Sequence, residues 1–258
     1  MTDFQPDFGP TAEDYTRHRA GFPPELINRL KLYGIGLRGQ AVLDLGTGTG
    51  SLARLLALGG ATVTGIDPAA PLLEKARELD RAAGVQIQYH VGMAESTGLP
   101  DQAFDVVSAG QCWHWFDAPQ ATAEVRRLLR PRGQVVIAHF DWLPLPGNVV
   151  SATEELITAF NPAWTMGGGT GLYPRWLTDL ACAGFTGIET FSFDLDVPYT
   201  PAAWIGRIRA SAGVGASLSP EMVAEFSERL GKVLRDSYFG EVLRIPHRTW
   251  AVRAVKAD

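Results

Sequence analysis

The segment Ala41-Val-Leu-Asp-Leu-Gly-Thr-Gly-Thr-Gly50 sets one acid and three glycines where a small charged ligand could lie against the main chain. Ala41–Leu45 is a short apolar run that reads as a buried strand with Asp44 near its end. Glycines 46, 48 and 50 allow a tight turn and a close approach of ligand to backbone. Ser51-Leu-Ala-Arg-Leu-Leu-Ala57 follows as a helix with an apolar stripe. Strand, turn and helix N-terminus make a nucleotide-type cradle, and Asp44 indicates the kind. A carboxylate there repels a pyrophosphate and attracts an ammonium or a sulfonium. Gly48-x-Gly50-x-x-Ala53 also fits the dinucleotide fingerprint G-x-G-x-x-A. Asp67, ending the next apolar strand, suits a ribose in either case, so the weight falls on Asp44. A second cluster, Ser108-Ala-Gly-Gln-Cys-Trp-His-Trp-Phe-Asp117, follows a later strand. His114 is its proton acceptor, with the positioning of the loop as the competing role. Trp113 reads as pocket lining, where an aromatic face favours a cation, and Trp115 as core.

The pattern Val42-Leu43-Asp44-Leu45-Gly46-x-Gly48-x-Gly50 resembles the first motif of the class I S-adenosylmethionine-dependent methyltransferases. Gly92-Met93-Ala94-Glu95, Leu99-Pro100 and Phe104-Asp105-Val106-Val107 resemble that family's stretch GDAEDLPF…FDVV, with Met93 in place of the usual acid. Trp113-His-Trp-Phe116 is similar to the HWF variant of the methyltransferase type 11 group and of trans-aconitate methyltransferase relatives. Tyr15-x-x-x-Arg19-Ala-Gly-Phe-Pro23 resembles their YxxxRPxYP element, departing from it at Ala20 and Phe22. The resemblance implies S-adenosylmethionine as cofactor and S-adenosylhomocysteine as product. It implies cofactor contacts from Asp44, Gly46, Thr47, Gly48, Gly50, Asp67, Pro68, Ala94, Glu95, Ala109 and Gln111. Tyr15 and Arg19 would close over the methionine end, where a guanidinium pairs with a carboxylate. Trp113, His139 and Tyr173 are expected on the acceptor side, with His114 as the base for a hydroxyl acceptor. Asp105, at the start of its strand, is expected to be structural.

Strands and helices must alternate to bring these residues to one edge. Ala41–Leu45, Thr62–Asp67, Val85–Val91, Phe104–Ala109 and Gln134–His139 read as strands, the third as an edge. Helices are expected from Pro68 to about Ala83 and over Pro119–Arg130, the latter ended by Pro131-Arg-Gly133. Later, Val149–Phe160, Pro174–Ala183, Pro201–Ser211 and Pro220–Arg235 read as helices, and Thr190–Val197 and Arg248–Lys256 as strands. The fold class is α/β: a doubly wound Rossmann-like sheet, with seven strands and an antiparallel C-terminal hairpin as the resemblance implies. Residues 1–40 are expected to form a helical lid, and 41–258 the methyltransferase domain, with helical cap insertions at about 145–172 and 200–240.

Composition narrows the partners. A chain of 258 residues with net charge −5 and no basic run argues against nucleic acid. There is no run of about 18 apolar residues and no secretory leader, so no membrane partner is expected. Cys112 and Cys182 form no disulfide framework and read as buried thiols in a cytoplasmic setting. The histidines at 18, 90, 114, 139 and 247 lack metal-ligand spacing, so no metal is expected. The expectation is a small-molecule methyltransferase acting at oxygen, a monomer or homodimer. A nicotinamide-dependent oxidoreductase and a non-catalytic S-adenosylmethionine binder are the alternatives.

Overall fold

The computed structural model describes residues 20–238 and 240–257. Helix α1 spans Pro24–Lys31 and buries Leu26, Ile27 and Leu30. Strand β1 (Ala41–Leu45) leads through the glycine turn into α2 (Ser51–Leu58). Strand β2 (Thr62–Asp67) leads into α3 (Ala70–Ala83), which stops where Gly84 takes a left-handed conformation at φ 70°. Strands β3 (Gln88–Val91) and β4 (Phe104–Gly110) follow, then α4 (Ala118–Leu128), whose N-terminus is capped by Asp117 accepting from the Gln120 amide. Strand β5 (Leu129–Trp142), α5 (Val149–Phe160), α6 (Pro174–Cys182) and β6 (Phe185–Tyr199) come next. Then come α7 (Pro201–Arg209), α8 (Pro220–Ser237) and β7 (Leu243–Lys256).

The seven strands lie in the order β3-β2-β1-β4-β5-β7-β6. The pairs β1/β2, β1/β4, β2/β3 and β4/β5 are parallel, and the C-terminal strands add antiparallel neighbours. This is the Rossmann-like sheet expected from the sequence. Strand β5 is longer than its apolar run. Phe104 faces Leu129 and Val106 faces Gln134, so Arg130-Pro131-Arg132-Gly133 bulges out of the ladder instead of forming a loop. Arg132 takes φ 62° there. Asp105 is structural: its Oδ2 accepts from the Ala41 amide (2.8 Å) and its Oδ1 from Arg130 (2.6 Å).

The chain divides into two compact units. One comprises Gly21–Phe140, Leu172–Phe193 and 249–257. Its core joins Leu43, Leu45 and Val107 of the sheet to Val125 and Leu128 of α4, and to Trp176 and Leu180 of α6. Each such side chain contributes about 1.5–3 kcal/mol on burial. The other comprises Ala20, Asp141–Gly171 and Asp194–Arg248, with Val150, Ile157, Trp204, Phe226 and Leu230 at its centre. Cys112 is buried as expected, but Cys182 is exposed, because it ends α6 on the solvent side. Among the described residues no helix is long and apolar enough to cross a membrane.

Candidate functional site

Parallel pairing brings the carboxyl ends of β3, β2, β1, β4 and β5 to one edge of the first unit. Asp44, one residue from the end of β1, is 1% exposed. Its Oδ2 accepts from Thr47 Oγ1 (2.7 Å) and its Oδ1 from Ser108 Oγ (2.6 Å). Burial nonetheless pushes its pKa up to about 6, against those two hydrogen bonds and one from the Ala53 amide, with a smaller push from the Asp67 carboxylate. Among the described residues no cation pairs with it, so the site has the character of a receptor for positive charge. Ser108 opens the second cluster, but the motifs assign it no role. Its signal is a hydroxyl in an apolar strand, in register opposite Asp44.

The glycine turn is tied at successive residues. The Thr47 amide donates to Ile66 O (2.9 Å), and the Gly48 amide to Asp67 Oδ2 (2.8 Å). The other Asp67 oxygen accepts from the Ala69 amide (2.9 Å), so one carboxylate joins the turn after β1 to the start of α3 across Pro68. Burial raises the Asp67 pKa, opposed by these amides. Gly46 is required by space: a Cβ there would lie 2.8 Å from Cys112 Cβ and Sγ, and its φ is +59°. At Gly48, φ +55°, a Cβ would meet nothing within 4 Å, so the turn opens onto free volume.

Ala94 is buried, whereas Met93 is 49% exposed. Glu95 is half-buried, and its Oε1 accepts from the Asp117 amide (2.9 Å), linking the turn after β3 to the start of α4. Ala109 is buried, and a Cβ at Gly110 would reach Phe22 Cε2 at 2.8 Å. Gln111 holds φ 64°, donates its amide to Ala138 O (2.9 Å), and gives Nε2 to the Phe140 carbonyl. That leaves Gln111 Oε1 as the atom suited to accept from a ligand ammonium.

The turn Trp113–Trp115 is a single 3₁₀ turn, which rotates successive side chains by about 120°. It corrects the tryptophan assignments. Trp113 points inward, is 2% exposed and donates Nε1 to Asp179 Oδ2 (3.1 Å), so it is core and not pocket lining. Trp115 is 40% exposed, with its ring 4.5 Å from that of exposed His114. His114 in turn lies 5.4 Å from His139. His139 is 2% exposed, with Tyr173 and Trp176 rings at 4.4 and 4.7 Å. This burial makes His139 a wall behind His114 and not a surface that an acceptor meets directly. Half-buried Tyr173 stacks on Trp176 at 4.0 Å. Tyr15 and Arg19 lie outside the described residues.

Residues 43–137 match the model of a family described as a methyltransferase domain. An uncharacterized methyltransferase of Mycobacterium tuberculosis is 38% identical over 133 residues, which is 52% of this chain and 51% of that protein. A ubiquinone biosynthesis O-methyltransferase of Klebsiella pneumoniae is 38% identical over 120 residues, 44% of this chain and 50% of that one. The chain thus spans about half the length of these curated relatives. Among solved structures, a Haemonchus contortus phosphoethanolamine N-methyltransferase, in complex with phosphomonomethylethanolamine and S-adenosylhomocysteine, shares the fold. Its TM-score is 0.59 at 20% identity, covering 97% of this chain and 58% of that one.

Proposed function

We propose, for a chain that belongs through residues 43–137 to the class I S-adenosylmethionine-dependent methyltransferase family, that it methylates a small molecule at an oxygen atom. The observation that carries the reading is Asp44. A buried carboxyl held by two hydroxyls and a backbone amide but by no cation among the described residues, beside an open glycine turn, fits a ligand that brings its own positive charge. Asp67 fits the neutral hydroxyls of a ribose, since its remaining lone pairs can accept while the Gly48 and Ala69 amides hold it in place. Thr47, Gly46, Gly48 and Gly50 supply the cradle. Ala94 and Glu95 flank it at the β3 end, where the resemblance assigns adenine, and Ala109 and Gln111 flank it at the β4 end.

When bound, S-adenosylmethionine would supply an electrophilic methyl group for the acceptor oxygen, with S-adenosylhomocysteine as the leaving product. The chain's part is alignment and the exclusion of water, which can contribute on the order of 7–11 kcal/mol. A carboxylate acceptor, with pKa about 4, arrives ionised, whereas a phenol, with pKa about 10, carries a proton that a ring nitrogen of His114 takes up. The exposure of His114 and the flat Trp115 beside it favour an unsaturated hydroxylated acceptor. The O-methyltransferase name of the Klebsiella relative supports oxygen. The net charge of −5 speaks against a nucleic acid acceptor.

Calorimetric titration with S-adenosylmethionine and, separately, with NADH tests the reading. Micromolar binding of the sulfonium ligand, weakened by Asp44→Ala and Asp67→Ala, is expected. Selective binding of NADH would move the chain to the oxidoreductases. Tight S-adenosylmethionine binding without turnover across carboxylate and phenol acceptors would make it a non-catalytic binder.

A further inference from the structure

Beneath the glycine turn lies a cluster that no motif marks. Helix α2 begins at Gly50, whose φ is 76° and which has no side-chain cap. One turn later Arg54 folds back. Its Nε donates to Asp80 Oδ1 of α3 (2.8 Å), while its NH2 group donates to the Thr49 carbonyl (2.7 Å) and approaches Ala76 O (3.4 Å). The two side chains are 16% and 5% exposed. One guanidinium therefore anchors a residue of the turn to α3.

Tyr89 of β3 underlies the same turn from the other side. Its ring passes Gly65, where a Cβ would lie 2.7 Å from Cδ1 and Cε1. Its hydroxyl ends under Gly50, where a Cβ would lie 2.5 Å from the oxygen. Two glycines on different elements thus leave room for one tyrosine. The hydroxyl is kept neutral by burial and by the neighbouring Asp80 carboxylate. Among the described residues the hydroxyl's polar neighbour is the Asp80 carboxylate, at the limit of hydrogen-bonding geometry. A buried ion pair such as Arg54–Asp80 contributes little net stability over an apolar pair of the same volume.

We propose that Arg54, Asp80 and Tyr89 are positioning residues that mount the turn Thr47–Gly50 from below and so set cofactor affinity without touching the cofactor. The inference rests on the S-adenosylmethionine reading. A hydrogen bond to a charged group carries enough free energy to change an equilibrium about tenfold or more. The double variant Arg54→Met/Asp80→Leu removes both charges together and leaves no buried ion. Scanning calorimetry should find its Tm close to wild type, while titration should find S-adenosylmethionine bound at least about tenfold more weakly. Wild-type Tm together with wild-type Kd would overturn the proposal, because the pair would then serve packing alone. Should that variant fold poorly, Gly50→Ala and Gly50→Ala/Tyr89→Phe provide an independent test. The single change should weaken binding more than about tenfold, and removing the hydroxyl should recover at least about threefold. No recovery would refute Tyr89 as the strut. A wild-type protein that binds neither S-adenosylmethionine nor S-adenosylhomocysteine overturns the proposed function, and this inference with it.

Discussion

Acidification from about pH 7.5 to about pH 5 is expected to weaken S-adenosylmethionine binding about tenfold, through Asp44. Its carboxyl is 1% exposed and titrates at about 6, so at about pH 5 only about one molecule in ten carries the charge that a cationic ligand prefers. Each further unit below 6 costs up to another factor of ten, about 1.4 kcal/mol, until the lower pKa of the bound state is reached. The sign for folding is opposite. The folded pKa lies above the unfolded value of 3.8, so the protonated form is the one that folding favours. Stability from Asp44 is full below the unfolded pKa and is lost as pH rises to about 6. Above that the buried charge costs on the order of 3 kcal/mol, about two pKa units. Asp44→Asn should therefore bind the ligand weakly at every pH, and should stabilise the ligand-free protein at about pH 7.5 by up to about 3 kcal/mol. Calorimetric Kd values across this range, paired with urea unfolding, provide the assay. A flat Kd in the wild type, or a pH dependence that survives Asp44→Asn, would refute the assignment of this charge to the site.

Three further outcomes are expected. His114→Ala should slow methylation of a phenolic acceptor by about 10²–10⁴-fold and leave a carboxylate acceptor nearly unaffected; equal rates with the phenol would remove His114 as the base. Gly46→Ala should destabilise the fold by about 2–4 kcal/mol in urea unfolding, because the new Cβ meets Cys112 at 2.8 Å on backbone at φ +59°. A loss below about 1 kcal/mol would show that the turn yields. Glu124 accepts from the Thr97 amide (2.8 Å) and hydroxyl (2.6 Å) and from Arg127, whose guanidinium holds its pKa down at about 2. Its contribution is present above the unfolded value of 4.5 and is lost as pH falls towards 2. Glu124→Gln should cost about 1–2 kcal/mol at neutral pH and flatten the acid limb of the stability curve. An unchanged limb would assign acid sensitivity elsewhere.

The parts of the site legible in the sequence are those built from neighbouring residues. Strand, turn and helix from Ala41 to Leu58 declare themselves, because apolar run, glycine spacing and helical stripe are local signals. The orientation of Trp113 and Trp115 was not legible, since one 3₁₀ turn decides it and its three residues show no periodicity. The bulge in β5 hides behind Pro131 and Gly133, which read equally well as a loop. Tyr89 under Gly50 and Gly65 joins residues of three elements, and such contacts leave no trace in spacing. The two units are likewise assembled from non-contiguous segments, so no linker composition announces their boundary.

The place of β7 between β5 and β6 has a consequence for biosynthesis. Strand β6 is translated before β7, yet its neighbour in the finished sheet is β7. While α7 and α8 leave the ribosome, β6 has no partner and β5 presents a raw edge. Both are templates for pairing with other nascent chains. Glu189, Asp194 and Asp196 along β6 put like charges on that strand during the wait and discourage such pairing. A chain halted before Leu243 would emerge as a client for chaperones, not as a domain short of one strand.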